Sequence, residues 1–532
     1  MVAINVGMPA LPPRAPHNVG HLRGTRGFTA AAHEELKNTR MRENVGHATR
    51  SIRQKRAHVV AEKNDWEQLR LAGSHIKRDV MARLPELLEQ FEESVTNAGG
   101  HVHWARDAAE ANRIITDLVK ETGEEKVVKI KSMATQEIGL NEALADAGIT
   151  ARETDLAELI VQLADDMPSH ILVPAIHRNR EDIREIFLNG IPGVAPDLKA
   201  NPADLAEASR KFLREQFMEA KVAISGANFG VAETGTVAVV ESEGNGRMCL
   251  TLPETLISVM GIEKLLPTFQ DLEVFLQLLP RSSTGERMNP YTSLWTGTTD
   301  GDGPKNFHIV LLDNGRSATL ADPIGREALK CIRCSACLNI CPVYEHVGGH
   351  AYGSVYPGPI GAILSPQLTG MDSYDDPNAS LPYASSLCGA CFEVCPVRID
   401  IPAALLELRH RKVTEHRPPV EGKLFATLGF IMGNQKLWNM SAKMASLARV
   451  LGLKDGEIHA LPLFLSGWSD VRDTPVPPKK PFRSLWGSKD FSAQLTREST
   501  NQVPTKINGL SSSDQSDSSD TSGKPDATNK EA

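Results

Sequence analysis

The spacing of apolar and polar positions changes along the chain and predicts three kinds of structure. Between residues 61 and about 120 the apolar positions follow helical spacing, as in DVMARLPELLEQFEESVTNAGG, which Gly99 and Gly100 end. Between 126 and about 313 short apolar runs alternate with helical segments, and from about 319 the pattern is helical again. We therefore expect an α/β domain over residues 61–318 with helical structure behind it.

The α/β segment predicts a sheet of short and nearly all-apolar strands. The candidates are EKVVKI (125–130), HILVPAI (170–176), KVAIS (221–225), GTVAVVES (235–242), GRMCLTL (246–252) and FHIVLLDNG (307–315). Helices are predicted for TQEIGLNEALADAGI and for NREDIREIFLNG, which end at Gly148 and Gly190. EGNG (243–246) is a candidate turn. Such strands, separated by helices, predict a mostly parallel sheet covered on both faces.

The end of the chain divides into regions of different composition. Residues 319–412 are predicted to be helical and hold a block of cysteines, and amphipathic helices are predicted over 402–453. Residues 413–499 form a helical and proline-rich region, in which VRDTPVPPKKPF (471–482) predicts extended chain. Residues 500–532 include SSSDQSDSSDTSG and have too few apolar side chains to offset chain entropy, so a disordered tail is expected.

Charge separates the start of the chain from the rest. The 532 residues contain 58 Lys and Arg against 66 Asp and Glu, a net charge of −8 that does not indicate nucleic-acid binding. Residues 1–60 instead hold ten Lys or Arg, three Glu and five His. This segment is either a basic arm for a partner or a transit-like leader, and its prolines and few serines favour a flexible basic arm.

No apolar run approaches the roughly 20 residues that cross a bilayer. The pattern of a secretory signal peptide is also missing from the sequence. We therefore expect a soluble, cytoplasmic protein without a transmembrane segment.

The cysteines indicate metal binding. Seven of the eight lie within 65 residues, which are Cys331, Cys334, Cys337, Cys341, Cys388, Cys391 and Cys395. A large chain without a secretory leader favours metal thiolates over a disulfide framework. The first run, C-x2-C-x2-C-x3-C-P, is the bacterial ferredoxin spacing, in which the fourth cysteine serves the other cluster. Zinc usually takes two separated C-x2-C pairs per ion, so two iron–sulfur clusters fit better.

Superposing the two Cys-Pro ends assigns the ligands. Cluster 1 takes Cys331, Cys334, Cys337 and Cys395, while cluster 2 takes Cys341, Cys388 and Cys391. Cys331 then corresponds to Ser385, so an eighth cysteine is missing from the two runs. The second cluster, expected to be 4Fe-4S like the first, has an unidentified fourth ligand.

Several groups can fill that eighth position. The fourth ligand could be a serine, a non-protein ligand or Cys249, or the cluster could contain three irons. An iron without a protein ligand could bind a substrate oxygen. Cys249, between Met248 and Leu250, is expected to be a buried inert thiol. Between the runs, VGGHAYGSVYPGPIGAILSPQLTG (347–370) is apolar enough to pack over the clusters, with a surface loop as the alternative.

The α/β segment offers a candidate small-anion site. ISGANFGVAETGTVAVVESEGNGR (224–247) is rich in glycine but lacks the dinucleotide-binding fingerprint. The candidate residues are Lys129, Lys131, Ser132, Glu233, Thr234 and Asn245. The alternative is that the glycines only form turns and that the lysines are solvated. His177 follows a predicted strand and is a candidate general base, with a capping or surface role favoured.

Motifs of both parts, in the same order, carry a family resemblance. KSMATQEIGLNEALADAGI, PSHILVPAIHRNREDI, SGANFGVAETGTVAVVESEGNGR, FHIVLLDNGRSATLAD, CIRCSACLNICPVY, GHAYGSVYPGPIGA and CGACFEVCPVRIDIP resemble the lactate utilisation protein B family. The resemblance covers roughly residues 60 to 485. The basic segment and the Ser/Asp-rich tail are less characteristic of the family.

The resemblance implies a fold and an activity. The fold is an α/β LUD domain, similar to the CoA-transferase and ribose-phosphate isomerase group, followed by an all-α ferredoxin-type iron–sulfur domain and a family-specific C-terminal region. The seven cysteines correspond to the family's cluster ligands. The implied function is that of an iron–sulfur electron-transfer subunit that acts with two companion lactate utilisation proteins, the A and C types, to oxidise L-lactate to pyruvate and allow growth on lactate.

A second reading stays open at the sequence level. The LUD-like domain would be a CoA-transferase-type enzyme with Glu241 or Glu243 as nucleophile, and the clusters would be sensory or structural. Two coupled clusters favour the electron-transfer reading. No flavin or nicotinamide motif is evident in the sequence, and neither the catalytic residues nor the electron acceptor can be read from it.

Overall fold

The computed structural model describes residues 12–416, 419–446, 456–461, 466–469 and 472–486. The described residues before 417 belong to one compact unit and those from Pro419 to another. The predicted tail, 500–532, lies outside the described residues.

A six-stranded sheet forms the centre of the first unit. Its strands are β1 (His101–Ala105), β2 (Lys126–Lys129), β3 (Thr150–Glu153), β4 (Val222–Gly226), β7 (Thr255–Gly261) and β10 (Asn306–Leu312). All run parallel in the order β1-β10-β7-β4-β2-β3. Every residue of the central strand β7 is buried, since both faces of the sheet are covered. The predicted parallel α/β sheet is confirmed.

A second, four-stranded sheet packs beside the first. Its strands are β5 (Phe229–Val231), β6 (Thr236–Glu241), β8 (Leu265–Leu266) and β9 (Tyr291–Trp295), in the order β8-β5-β6-β9. The helices of this region are α3 (Trp66–Ala82), α4 (Leu84–Asn97), α5 (Ala108–Glu121), α6 (Met133–Glu137), α7 (Leu140–Asp146), α8 (Leu156–Leu163), α9 (Arg180–Gly190), α10 (Pro202–Glu219), α11 (Asn245–Thr251) and α12 (Phe269–Ser283).

Two strand predictions are wrong. The segment 170–176 forms turns because the His170 ring accepts hydrogen bonds from the backbone N–H groups of Leu172 and Val173, both at 3.0 Å. Residues 246–252 form most of helix α11, which starts after Gly244 in the left-handed conformation (φ 83°). Apolar runs this short do not distinguish a strand from a buried helix.

The prediction of a flexible basic arm over 1–60 is wrong for its described part. Helices α1 (Phe28–Glu35) and α2 (Thr39–Ala61) occupy the second half, and Val45 is fully buried. Arg50 and Arg53 reach Glu345 at 2.7 and 3.0 Å, beside the first cysteine run. Part of the positive charge is therefore paired with the region of the cysteine runs and does not indicate a solvated arm.

The segment before α1 crosses between the two predicted domains. The His21 N–H donates to the Glu137 carbonyl at 3.0 Å, and the His21 carbonyl accepts from the Val355 N–H at 2.8 Å. Ala15 N donates to the Leu368 carbonyl at 2.9 Å. Residues 12–27, called the strap below, thus hydrogen-bond to α6 and to the segment between the cysteine runs.

Short helices surround the cysteine runs. They are α13 (Arg316–Ala321), α14 (Pro323–Ala328), α15 (Ala336–Ile340), α16 (Pro342–Val347), α17 (Gly358–Thr369), α18 (Pro377–Ser380), α19 (Ala390–Val394) and α20 (Ile401–Glu415). All residues of α17 are buried, as are Tyr352 and Tyr356 before it. The glycine- and proline-rich segment between the runs is therefore part of the core and not a surface loop.

The second unit contains short elements. They are α21 (Pro419–Gly433), α22 (Gln435–Ala445), β11 (Glu457–Ile458), α23 (Ser466–Ser469), β12 (Thr474–Pro475) and α24 (Phe482–Trp486). Strands β11 and β12 pair antiparallel. Within the described ranges of both units, no helix combines the length and apolar character needed to cross a membrane.

Candidate functional site

The two cysteine runs share one backbone conformation. Arg333 and Ser335, on either side of Cys334, have left-handed φ values of 60° and 63°. At the matching positions around Cys388, Leu387 and Gly389 have φ values of 56° and 84°. Helices α15 and α19 then start at matching positions and contact each other. Left-handed residues other than glycine are costly, and their repetition indicates a loop shaped for its ligands.

Four thiols gather around one cavity. Its lining includes Cys331, Cys334, Cys337 and Cys395, together with Ile360 of α17. The Sγ of Cys331 accepts a hydrogen bond from Arg333 N at 3.4 Å, and that of Cys395 accepts from Ile399 N at 3.3 Å. Burial raises the pKa of Cys334 to about 12, with a further rise from Cys331 and Cys395. These thiols therefore favour a cation between them.

The other three thiols of the runs form a second group. Burial raises the pKa of Cys391 to about 12, and the neighbouring Cys341 and Cys388 raise it further. Cys341 and Cys391 are buried, whereas Cys388 is exposed. This group is therefore open to the surface at Cys388.

The position equivalent to Cys331 is occupied by Ser385. The Oγ of Ser385 accepts a hydrogen bond from Leu387 N at 3.1 Å, just as the Sγ of Cys331 accepts from Arg333 N. Ser385 is half-buried. The hydroxyl and the thiol thus occupy matching places in the two loops.

Cys249 lies in a different environment. It is fully buried in α11, and its Sγ lies 3.6 Å from the Thr154 Oγ1. Burial raises the pKa of this thiol to about 12, and Glu153 and Glu241 add to the rise. These neighbours belong to the α/β part, so Cys249 has the surroundings of an inert core thiol.

Helices of the N-terminal part hold the second loop from behind. Arg70 of α3 donates through Nε to the Cys395 carbonyl at 2.9 Å and through Nη2 to the Phe392 carbonyl at 3.1 Å. Arg56 of α2 donates to the Val394 carbonyl at 2.9 Å. Both guanidinium groups add positive charge beside the thiolates, which favours iron–sulfur clusters of negative net charge.

A cavity of about 340 Å³ opens at the carboxyl ends of the parallel strands. Chain segments that follow β2, β4, β7 and β10 line it, and its far wall includes Ile332 and Arg333 of the first cysteine loop. Strand β2 leads on to β3 on one side, whereas β4 leads toward β7 on the other. Such a reversal opens a crevice at the strand ends, where α/β proteins bind ligands.

The structure brings together three of the six residues of the predicted anion site. Lys131, Ser132 and Asn245 line this cavity. The other three candidates are engaged elsewhere: Lys129 is buried in an ion pair with Glu153 at 2.6 Å, Glu233 accepts from Phe269 N at 3.1 Å, and Thr234 bonds to Thr236 at 2.7 Å. The glycine-rich stretch 224–247 also lines the cavity, through residues such as Gly226, Asn228 and Asn245.

His177 does not line the cavity. Its Nε2 lies 2.9 Å from the Asp166 Oδ2, and Arg178 contacts the same carboxylate. Burial lowers the pKa of His177 against the opposing effect of Asp166. The ring therefore belongs to a separate cluster of charged groups.

A buried ion-pair network missed by the sequence analysis joins the sheet to the first cysteine loop. Arg316 binds both carboxylate oxygens of Glu137, at 2.8 and 2.9 Å, and its Nε donates to Glu263 at 2.6 Å. The other oxygen of Glu263 accepts from Arg333 at 3.3 Å. The Arg333 guanidinium lies over the Tyr356 ring at 4.7 Å. The available signal was a charged residue shortly after a strand, since Glu263 lies two positions past β7 and Arg316 four positions past β10.

Burial and neighbouring charges determine the pKa values of the ionisable groups around this network. Burial would raise the pKa of Glu263, but the Arg316 and Arg333 guanidinium groups outweigh it and hold the value at about 2. Burial lowers the pKa of Lys264, which also lines the cavity, to about 8, and the charge on Arg333 adds to the decrease. The end of the cavity near the cysteine loop is therefore cationic.

Acidic residues also line the cavity. Glu241 accepts hydrogen bonds from the N–H groups of Glu243 and Gly244, at 2.7 and 2.6 Å, so its carboxylate is occupied in shaping the turn. Glu243 accepts from Leu156 N at 2.9 Å. Burial raises the pKa of Glu243 to about 7, and the nearby Asp155 adds to the rise.

A parallel α/β domain joined to paired thiol loops defines a LUD-domain protein with a dicluster iron–sulfur site. The sequence model of the LUD domain family matches residues 88–312, and that of the 4Fe-4S dicluster domain family matches residues 327–399. The thiol donors, their burial and the N–H···S contacts fit such clusters.

Curated relatives identify the family. Lactate utilization protein B of Bacillus licheniformis is 44% identical over 467 residues, which cover 86% of this chain and 96% of that protein. The protein of the same name from Oceanobacillus iheyensis is 44% identical over 85% of this chain and 94% of its own length. The protein of the same name from Bacillus subtilis is 41% identical over 89% of this chain and 99% of its own length. The chain belongs to the lactate utilization protein B family.

Proposed function

We propose that this protein is the iron–sulfur electron-transfer subunit of a complex that oxidises L-lactate to pyruvate. The observation that carries the proposal is the pairing of the two cysteine loops, whose helices α15 and α19 contact each other. Two adjacent clusters give electrons a path, whereas a structural role needs only one site. Bound clusters would supply one-electron redox chemistry.

The ligands are assigned by the grouping of the thiols. Cluster 1 is held by Cys331, Cys334, Cys337 and Cys395, and cluster 2 by Cys341, Cys388 and Cys391. The fourth cysteine of each run thus serves the cluster formed mainly by the other run. Both clusters are of the 4Fe-4S type in this proposal.

The surrounding residues set the direction of transfer. Cluster 1 lies next to the cavity at the strand ends, whereas exposed Cys388 brings cluster 2 to the surface. Arg56 and Arg70 hold the second loop through hydrogen bonds to its carbonyl groups. Electrons would therefore enter near the cavity and leave near Cys388 toward an acceptor.

The family name of the relatives supports a shared pathway with companions. We infer two companion lactate utilisation proteins, of the A and C types, and a cytoplasmic complex. We also infer that the α/β domain has a fold of the CoA-transferase and ribose-phosphate isomerase group and that the cluster domain, residues 319–412, is all-α.

An anaerobic spectral experiment tests the proposal. The protein is mixed with both companions, L-lactate is added, and absorbance near 400 nm is followed. Bleaching of the cluster band together with pyruvate formation is expected. The proposal would be overturned if the complete complex formed no pyruvate and kept its absorbance after L-lactate was added, although dithionite still bleached the cluster band. Transfer of labelled CoA to Glu241 would instead support the acyl-transfer alternative.

A further inference from the structure

The cavity at the strand ends has the size and position of a ligand site. Its volume of about 340 Å³ lies at the lower end of the range for small-molecule sites, roughly 300–1,000 Å³. It opens between β2 and β4, where the strand order reverses. Its wall at Ile332 and Arg333 is part of the loop that contains Cys331 and Cys334. A ligand there lies beside cluster 1.

Arg333 has hydrogen-bonding capacity to spare in this cavity. The residue is only 8% exposed, and its Nη2 donates to Glu263. Its Nε and Nη1 atoms are buried and have no hydrogen-bond partner within the described part of the chain. A buried donor left unpaired costs about 1–3 kcal/mol, so these donors favour a bound acceptor. Arg333 lies between the strand-end cavity and the cavity of the four cluster 1 thiols and lines both.

Lys264 adds a second positive group to the same wall. No hydrogen bond or ion pair joins its ammonium group to any residue in the described ranges, although it lines the cavity. The charge of Glu263 is already balanced by Arg316 and Arg333. The charges at this end are therefore not fully neutralised by the protein. A planar guanidinium fork with a nearby ammonium matches a carboxylate.

We propose that this cavity binds a small carboxylate, of the 2-hydroxy or 2-oxo acid class, with its carboxylate held by Arg333 and Lys264. The acidic groups Glu241 and Glu243, which also line the cavity, disfavour a second negative charge, so a monocarboxylate fits better than a dicarboxylate. This inference names a substrate class and rests on the proposed function. It concerns binding alone and includes no redox step.

Binding to the anaerobic, cluster-loaded protein without companions tests the inference. L-lactate and pyruvate are titrated calorimetrically, and L-lactamide is the uncharged control ligand. Saturable binding of the acids and at least about tenfold weaker binding of the amide are expected, since tenfold corresponds to about 1.4 kcal/mol. Pyruvate is also expected to alter the EPR spectrum of one of the two reduced clusters.

Variants locate the site. Lys264→Gln and Arg333→Gln are each expected to weaken acid binding at least about tenfold. Lys126→Gln, at the exposed start of β2, is the matched control and leaves binding unchanged. Because Lys264 lies outside the cysteine loops, the Lys264→Gln result remains decisive if Arg333→Gln loses iron. The inference is overturned if the acids do not bind, if lactamide binds equally well, or if Lys264→Gln binds the acids as the wild type does. Lactate-dependent bleaching with the companions still decides the proposed function.

A different observation carries a second inference, on the missing eighth ligand. Ser385 repeats the position of Cys331, and its Oγ receives the same type of backbone N–H bond. Leu387 and Gly389 repeat the left-handed geometry that aims the first loop at its cluster. The geometry points to Ser385 Oγ as the fourth protein ligand of cluster 2. On binding, the hydroxyl proton leaves to solvent, which the half-buried side chain can reach.

Iron analysis and EPR of three variants test this assignment. The wild type and Ser385→Cys are expected to hold about eight iron atoms per chain, the content of two four-iron clusters. Ser385→Ala is expected to lose about one iron on mild oxidation and to give a three-iron EPR signal. Ser386→Ala, at an exposed neighbour, is the control. A Ser385→Ala protein with the iron content and spectra of the wild type overturns the assignment without affecting the electron-transfer proposal.

Discussion

Arg333 and Glu263 meet at 3.3 Å and join the first cysteine loop to the end of strand β7. Through Glu263 the contact continues to Arg316 and then to Glu137 of α6. All four side chains are buried. The cluster loop and the cavity therefore share one charged wall, and a change in one alters the electrostatics of the other.

Removal of the central carboxylate is expected to destabilise the protein strongly. Glu263→Gln leaves two buried guanidinium groups without their shared counter-charge, a change that typically costs about 3–5 kcal/mol. Anaerobic urea unfolding measures the effect. Glu89→Gln, at an exposed position of α4, is the control and should shift stability by less than about 0.5 kcal/mol. Equal stability of the two variants would contradict the structural role of the network.

The same carboxylate gives stability a dependence on pH. The pKa of Glu263 is held at about 2, below the value of 4.5 for an unstructured glutamate. Its contribution is therefore complete above about pH 4.5 and is lost as pH falls toward 2, with a total on the order of 3 kcal/mol. The difference in unfolding free energy between wild type and Glu263→Gln, measured from about pH 6 to 3, should shrink with acidification. A difference that stays constant would refute this pKa.

The crossed ligand assignment predicts different losses for cysteines of one run. Cys395→Ala should disrupt cluster 1 although Cys395 belongs to the second run, whereas Cys388→Ala should disrupt cluster 2. Iron analysis and EPR of the two variants should therefore identify different remaining clusters. Cys249→Ala should keep the full iron content because this thiol contacts Thr154 in the α/β part. Loss of the same cluster in both run variants would contradict the crossing.

A comparison of two glycines distinguishes the stability cost of a steric clash from that of backbone strain. Gly20 and Gly123 have left-handed φ values of 77° and 76°. A Cβ at Gly20 would lie 2.1 Å from the Glu137 carbonyl oxygen, whereas a Cβ at Gly123 would meet nothing within 4 Å. Gly123→Ala should cost about 1–2 kcal/mol through φ alone. Gly20→Ala should cost about 1–3 kcal/mol more through the clash, as measured by thermal unfolding. Equal losses would show that the strap does not bind α6.

The sequence indicated the features that depend on nearby residues. Ligand spacing is local, so the cysteine runs and their pseudo-repeat were visible, and the neighbouring candidates Lys131 and Ser132 both line the cavity. The Arg333–Glu263 pair joins residues 70 positions apart, and the arginines of α2 meet partners about 290 positions away. Nothing in a local pattern reveals such partners.

Errors arose where tertiary contacts decide between local alternatives. The apolar segment 170–176 satisfies the composition of a strand, yet the His170 ring holds it in turns and bonds to Asn339 of α15 at 3.0 Å. The basic character of residues 1–60 indicated solvent exposure, but part of that charge is directed at the cysteine region. Charge counts alone do not distinguish these cases.

The strap also has a consequence for the order of events at the ribosome. Synthesis releases Ala15 and His21 first, yet their partners Leu368 and Val355 emerge more than 300 residues later. The carbonyl of Cys395, which Arg70 binds, emerges later still. The strap and Arg70 are therefore synthesised long before the cysteine loops, and the loops can meet these supports only once most of the polypeptide has been released. An excised cluster segment would lack both braces and would not serve as a transferable module.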